Sequence, residues 1–313
     1  MALFNAPVLG IPTCISSGAA HVCSLAESSF GQWRALAAYH ALVEPHQVDI
    51  DIDVVDMQVP SAAPLDVSPV IYRRVGATRL EFAGPSVSGW ADAAAGAARI
   101  RVGPELLAAT ESFRYLVLEA AVLFLLTGPN RFPVHASAIV KDGDALLLAG
   151  PSGVGKSTLA WLATGAGWEV LSDDIAYVQR DPRWRVWAGG SARSYFAAGA
   201  ERHIPALAGH APQLRANGEA KRSLGRTLPM PPVTERAAVC LLERGTEPRV
   251  APVSEAEALA LLLAAPEPGF DVFPDAAAAL LRPLAARAVR LTLGPDPAAA
   301  IPLVEEIRTS FFS

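Results

Sequence analysis

The chain has 313 residues, 51% hydrophobic and 18% charged, with a formal charge of −5. That is enough apolar material for one large globular domain or two ordinary ones. No lysine- or arginine-rich run appears, which excludes an extended nucleic-acid surface and a polybasic membrane patch, since both need clustered cations.

Taken in order, residues 1–24 are small, apolar and unpatterned, and they lack the basic start of a secretory signal, so a loosely docked N-terminus is expected. Ser28 to Leu42 fits a helix. Val48 to Val55 alternates apolar and acidic residues with the period of a half-buried strand. Strands are expected at Val70–Arg74, Thr78–Phe82 and Ala98–Val102, between Gly/Pro/Ser turns, followed by a helical run from Glu105 to Leu126. The apolar stretch Tyr115–Leu126 contains Glu119 and is too short to cross a bilayer. Cys14, Cys23 and Cys240 form no ligand-spaced cluster; an odd count suits free thiols in a reducing compartment, and the cytoplasm is the expected address.

The second part of the chain opens differently. Ala145–Ala149 is a short apolar strand, Gly150–Ser157 a glycine-containing loop, and Lys156–Thr164 a helix closed by Gly165 and Gly167. Glu169–Ser172 is a second strand ending in Asp173 and Asp174. Further strands are expected at Arg185–Trp187, Ala237–Leu242 and Val289–Leu293, and helices at Glu255–Ala264, Ala276–Ala286 and Ala298–Thr309. The expected class is α/β, with a β-rich module over 1–128 and a phosphate-loop domain over 129–313.

The loop carries the chemistry. Gly150-Pro-Ser-Gly-Val-Gly-Lys-Ser157 satisfies GxxxxGK[ST] between a strand and a helix, the context in which the pattern has physical meaning. Its glycines let successive backbone N–H groups turn inward as an anion nest at a helix N-terminus. Gly150, Ser152, Gly153, Val154, Gly155, Lys156, Ser157 and Thr158 are the expected nucleotide-binding residues, with Lys156 on the outer phosphates and the Ser157 hydroxyl on Mg²⁺. Asp173 and Asp174 leave their strand at the same sheet edge. A metal-holding carboxylate and a base for a hydroxyl proton are the acidic parts that phosphoryl transfer to an alcohol requires. The competing reading of an Asp-Asp pair is a turn with a helix cap.

The segments His135-Ala-Ser-Ala-Ile-Val140, Asp142–Ser157 and Gly167-Trp-Glu-Val-Leu-Ser-Asp-Asp174 resemble the catalytic domain of the HPr kinase/phosphorylase family. More closely, they resemble the HPr-kinase-like proteins encoded beside ribosomal peptide genes, lasso peptide clusters included. The resemblance covers about forty residues, with weaker similarity at Lys221-Arg222 and Cys240–Gly245. It implies a P-loop kinase core using ATP and Mg²⁺, with Asp173 as base toward an acceptor serine, Asp174 supporting the metal, and His135 near the transferring phosphoryl group. It also implies assembly into homo-oligomers. Arg193 is a candidate phosphate clamp. His135 reads equally as a structural histidine, Arg193 as a surface cation, and Lys221-Arg222 as a solvated pair in a mobile segment. No glutamate from 175 through 200 matches the family's second signature, so neither the reverse reaction nor HPr as acceptor is implied.

The leading expectation is an ATP-dependent serine kinase acting on a peptide or small protein, a ribosomal peptide precursor being the specific candidate. A small-molecule kinase is the nearest alternative. A transport-type ATPase would need an LSGGQ-type signature and a GTPase an NKxD-type motif; the chain has neither.

Overall fold

The computed structural model describes residues 1–57, 69–127, 131–189, 193–214, 219–264 and 274–313. The chain divides into two compact units, Met1–Arg131 and Phe132–Ser313. The expected boundary between 128 and 129 lies outside the described residues.

The first unit is built on a seven-stranded sheet. Its strands are β1 (Ala2–Val8), β2 (Ile11–Ser17), β3 (Val48–Val54), β4 (Ile71–Val75), β5 (Arg79–Gly84), β6 (Val87–Asp92) and β7 (Ala97–Val102), in the spatial order β1-β2-β3-β7-β6-β5-β4. Helix α1 (Ala20–Phe30) links β2 to β3, which pair in parallel. Helices α2 (Pro104–Ala108), α3 (Thr110–Phe113) and α4 (Ala120–Thr127) close the unit. β3 buries Val48, Ile50 and Ile52, while Asp49, Asp51 and Asp53 lie on the opposite face. There Asp51 and Asp53 stand opposite Arg99 and Arg101 of β7.

Three expectations are corrected here. The N-terminus is a paired hairpin, not a loose start. Its turn, Leu9-Gly10, has positive φ at both residues, as a type I′ turn requires. The inward side chains Phe4, Ala6 and Val8 alternate, but small neighbours such as Ala2, Asn5 and Pro7 blur the contrast that alternation needs to be visible. The helix expected over Ser28–Leu42 instead starts at Ala20 and gives way to 3₁₀ turns from Gly31, where buried Trp33 and Leu36 keep a spacing that a 3₁₀ turn also satisfies. β6 is an additional strand. Gly89 sits at its centre, where a Cβ would come within 2.4 Å of the Arg99 carbonyl oxygen, so the close strand pairing needs a residue of low β-propensity.

The second unit contains a six-stranded sheet ordered β11-β9-β10-β18-β20-β19. In chain order its strands are β8 (Phe132–Val134), β9 (Ala136–Lys141), β10 (Asp144–Ala149), β11 (Glu169–Ser172), β12 (Ala176–Gln179), β13 (Arg185–Trp187), β14 (Arg193–Phe196), β15 (Gln213–Leu214), β16 (Ala220–Gly225), β17 (Val233–Thr234), β18 (Arg236–Arg244), β19 (Arg249–Pro252) and β20 (Ala288–Leu293). Its helices are α5 (Lys156–Ala163), α6 (Glu255–Leu263), α7 (Pro274–Ala285) and α8 (Ile301–Phe312). β8, β12, β13 and β17 form a second, four-stranded sheet, and β14–β16 a third.

Within the central sheet, β10, β18 and β20 run parallel, and β9 is antiparallel to both β10 and β11. β10 and β11 therefore end at the same edge, and β9 begins there. All six residues of β10 are buried. Leu146 and Leu148 pack with Leu159 of α5 and Val304 and Ile307 of α8. Lys141 and Trp168 both donate to Glu305, at 2.6 and 2.7 Å, tying α8 to the strands that flank α5. No helix among the described residues is long and apolar enough to cross a membrane.

Candidate active site

The loop after β10 is shaped by its glycines. Gly150, Gly153 and Gly155 have φ of +150°, +78° and +116°, a region that side chains avoid. A Cβ on Gly150 would stand 2.8 Å from the Leu242 carbonyl oxygen, so space also demands glycine there. Gly155 is the N-cap of α5, and its carbonyl accepts from Leu159 N at 2.9 Å, so the helix begins directly at Lys156. Val154 is buried and anchors the loop in the core, Ser152 and Gly153 are exposed, and Ser157 and Thr158 are half-buried in the first helical turn. Lys156 is buried and donates from Nζ to the carbonyls of Gly150 (2.8 Å) and Pro151 (3.2 Å). Burial lowers its pKa and Lys221 adds to that, while Asp174 and Asp173 oppose it.

Asp173 and Asp174 follow β11. The Ser172 hydroxyl accepts from Gly189 N at 3.0 Å and donates to the Ile175 carbonyl, which locks the turn that carries both carboxylates. Asp174 has φ of +80°, a left-handed conformation that costs an L-residue about 1–2 kcal/mol. Strain of this kind collects at sites where the side chain must point against the run of the chain. Asp173 is buried. Its Oδ1 accepts from Ser137 Oγ at 2.7 Å and its Oδ2 from Tyr195 N at 2.9 Å, and Ser157 of the loop helix lies close by. Burial pushes its pKa above the ordinary carboxylate value, with Asp174 adding to the rise and its donors Ser137 and Tyr195 N, together with the nearby Ser157 hydroxyl, opposing it.

His135 precedes β9, whose first residue, Ala136, pairs with Ala149 at the end of β10. The imidazole therefore stands at the mouth of the loop, with Nδ1 3.9 Å from Asp174 Oδ1. Burial and the charge of Lys156 lower its pKa, and Asp174 opposes them, so the ring is neutral at pH 7. His135, Lys156, Ser157, Asp173 and Asp174 thus share one sheet edge.

Three contributors are not legible in the sequence, and a fourth, Lys221, enters there only as half of a solvated pair. Ser137 and the backbone N–H of Tyr195 hold Asp173. Arg226 is largely buried, donates from Nη1 to the Val170 carbonyl at 2.8 Å, and lies close enough to Asp173 for the carboxylate's charge to raise its pKa; burial nonetheless brings it down to about 10. Lys221 acts electrostatically on both Lys156 and His135. The reading of Lys221-Arg222 as a solvated pair in a mobile segment is corrected: both are half-buried on β16, where Lys221 pairs with Glu219 at 2.8 Å and Arg222 with Glu201 and the His210 carbonyl. Phe196 of β14 stacks edge-on against Trp161 of α5, ring centroids 5.7 Å apart, which brings the third sheet against the loop's helix. Arg193, two residues before Tyr195, donates to Ser223 Oγ at 2.7 Å across the β14–β16 pair.

No protein-family model matches the chain, and no curated protein matches it. Among solved structures it is similar to the HPr(Ser) kinase/phosphatase from Coxiella burnetii, at 12% identity and a TM-score of 0.29, over 58% of this chain and 99% of that one. At that score the likeness carries no argument about activity, which rests on the residues themselves.

Proposed function

We propose that the chain is an ATP- and Mg²⁺-dependent kinase that transfers the γ-phosphoryl group to a serine hydroxyl of a peptide or small protein, with a ribosomal peptide precursor of the lasso type as the specific acceptor class. One observation carries this reading: β10 and β11 end at the same sheet edge, where Lys156 and Ser157 of the loop lie within electrostatic reach of Asp173, so phosphate loop and acidic pair form a single site. In this reading the N–H groups of the loop and the ammonium of Lys156 hold the phosphates, and neutral His135 donates to an oxygen of the transferring group. Asp173 accepts the proton of the attacking hydroxyl, and its raised pKa brings a carboxylate nearer the operating pH. Ser157 and Asp174 present hard oxygen donors of the kind Mg²⁺ takes alongside phosphate oxygens and water. The ion would supply charge neutralisation between the phosphates.

A second division of labour is favoured by the hydrogen bonds of Asp173. Asp173 is buried and both its oxygens already accept, from Ser137 and from Tyr195 N, which suits a positioning role; Asp174, with a side chain 31% exposed, is then the base. The first unit, with its long mixed sheet, is proposed as the module that presents the acceptor. ATP use and the free thiols Cys14, Cys23 and Cys240 support a cytoplasmic site of action.

The test is intact-mass spectrometry of candidate serine peptides after incubation with the protein, ATP and Mg²⁺. A gain of about 80 Da per phosphoryl group is expected, lost in Lys156→Ala. ATP consumption without any peptide gaining mass would move the acceptor to a small molecule. Comparing Asp173→Asn with Asp174→Asn decides the base: the variant that keeps Mg²⁺-dependent ATP binding while losing transfer identifies it.

A further inference from the structure

The sheet order sets the loop between two dissimilar neighbours. On one side, through β9, stand β11 and the acidic pair. On the other is β18, parallel to β10 and paired with it up to Ala149 opposite Leu241. β18 runs three residues further, to Arg244, and so passes alongside the loop.

Arg244 lies directly against it. A Cβ on Gly155 would stand 3.0 Å from Arg244 Nη2 and 3.3 Å from Leu293 Cδ1, so the guanidinium and Leu293 lie in close contact with the loop at this glycine. The Arg244 side chain is exposed, and its contact from Nη1 to the Gly294 carbonyl is long, at 3.5 Å, so the planar fork is not engaged in a strong bond there. Leu293, which meets Gly155 at the same place, is buried and apolar. Beside it, Gly294 carries no side chain, and Pro248 Cδ lies 3.2 Å from where that glycine's Cβ would be. The result is a flat cation over an apolar floor at the edge of the phosphate loop. Guanidinium planes are weakly hydrated and stack on aromatic faces.

We propose that Arg244 is a nucleoside-binding residue: its guanidinium forms the wall against which the base of the donor packs, on the side of the loop away from Asp173. The assignment rests on the kinase reading above. With the terminal phosphate turned toward the acidic pair, the phosphates crossing the loop deliver the nucleoside to the β18 side, where Arg244 and the Leu293 floor receive it.

The experiment compares ATP with inorganic tripolyphosphate, each with Mg²⁺, by calorimetric titration of the full chain. Arg244→Ala is expected to raise the ATP dissociation constant roughly two- to thirty-fold, the range of a stacked cation on an aromatic face, and to leave that of tripolyphosphate unchanged. Arg244→Lys keeps the charge without the plane and should not restore ATP affinity. Equal weakening of both ligands would make Arg244 a phosphate contact and overturn the assignment. Unchanged ATP binding in Arg244→Ala, with Lys156→Ala abolishing it, would overturn the assignment and leave the kinase reading standing. Wild-type protein binding neither ligand would overturn both.

Discussion

β3 and β10 are strands of similar length that solve opposite problems. β3 reads Val-Asp-Ile-Asp-Ile-Asp-Val and buries every second side chain, leaving its carboxylates on the outer face of the first unit. β10 reads Asp-Ala-Leu-Leu-Leu-Ala and is buried along its whole length. A strand covered on both faces, like those of parallel sheets, can meet solvent only at its ends. The chemistry of the second unit accordingly gathers at one edge, where β10 and β11 end and β9 begins. The same side chain therefore means different things in the two places. Asp51 is half-exposed, 3.8 Å from Arg99; Asp173 is buried, held by two donors and set beside the phosphate loop.

The largest effect that would sharpen this contrast is on catalysis. If Asp173 is the base, Asp173→Asn is expected to slow phosphoryl transfer by about 10²–10⁴-fold in single-turnover assays, whereas Asp53→Asn leaves it unchanged. Equal losses in the two would break the distinction between edge and face. Next is stability. Leu147→Ala and Leu148→Ala, on opposite faces of β10, should each cost about 2–5 kcal/mol in urea unfolding followed by a probe in the second unit, because both positions are fully buried. In β3 that cost should appear at Ile50 and vanish at its neighbour Asp51.

A smaller effect is tied to pH. Cys240 sits in β18 with its thiol pushed up to about 12 by burial, from an ordinary value of 9.0. A raised folded pKa means the stabilisation is complete below pH 9 and declines as pH rises from there toward the folded value, by up to about 1.4 kcal/mol per unit. Cys240→Ala should be less stable at pH 7, through its cavity, yet lose less stability between pH 9 and 11. The smallest effect is at the outer face of β3: Asp51→Ala should change stability by no more than about 0.5 kcal/mol, since its ion pair with Arg99 is solvent-screened.

What was legible in the sequence follows the same division. The strict alternation of β3 and the apolar run of β10 are local signals, and the glycines of the loop report backbone conformations that only glycine adopts freely. β1 and β2 were obscured because their inward and outward residues differ little in polarity. Within the site, His135, Lys156, Ser157 and the two aspartates lie in one stretch of chain whose spacing carries meaning. Ser137 was inside that stretch, but nothing local tells a serine that holds Asp173 from any other strand serine. Tyr195 contributes only a backbone N–H, and Lys221 and Arg226 arrive from β16 and its end, brought in by the packing of Phe196 on Trp161. Contacts between residues so far apart in sequence depend on how the sheets pack, which no local pattern encodes.

The central claim is that the edge formed by β9, β10 and β11 takes a nucleotide by its phosphates. It is tested most directly by a crystal structure with a non-hydrolysable ATP analogue and Mg²⁺. The account predicts phosphate density within hydrogen-bonding distance of the backbone N–H groups of 153–157, with Lys156 Nζ moved from the Gly150 carbonyl onto the phosphates. A nucleotide bound elsewhere, with Lys156 still donating to Gly150, would contradict it.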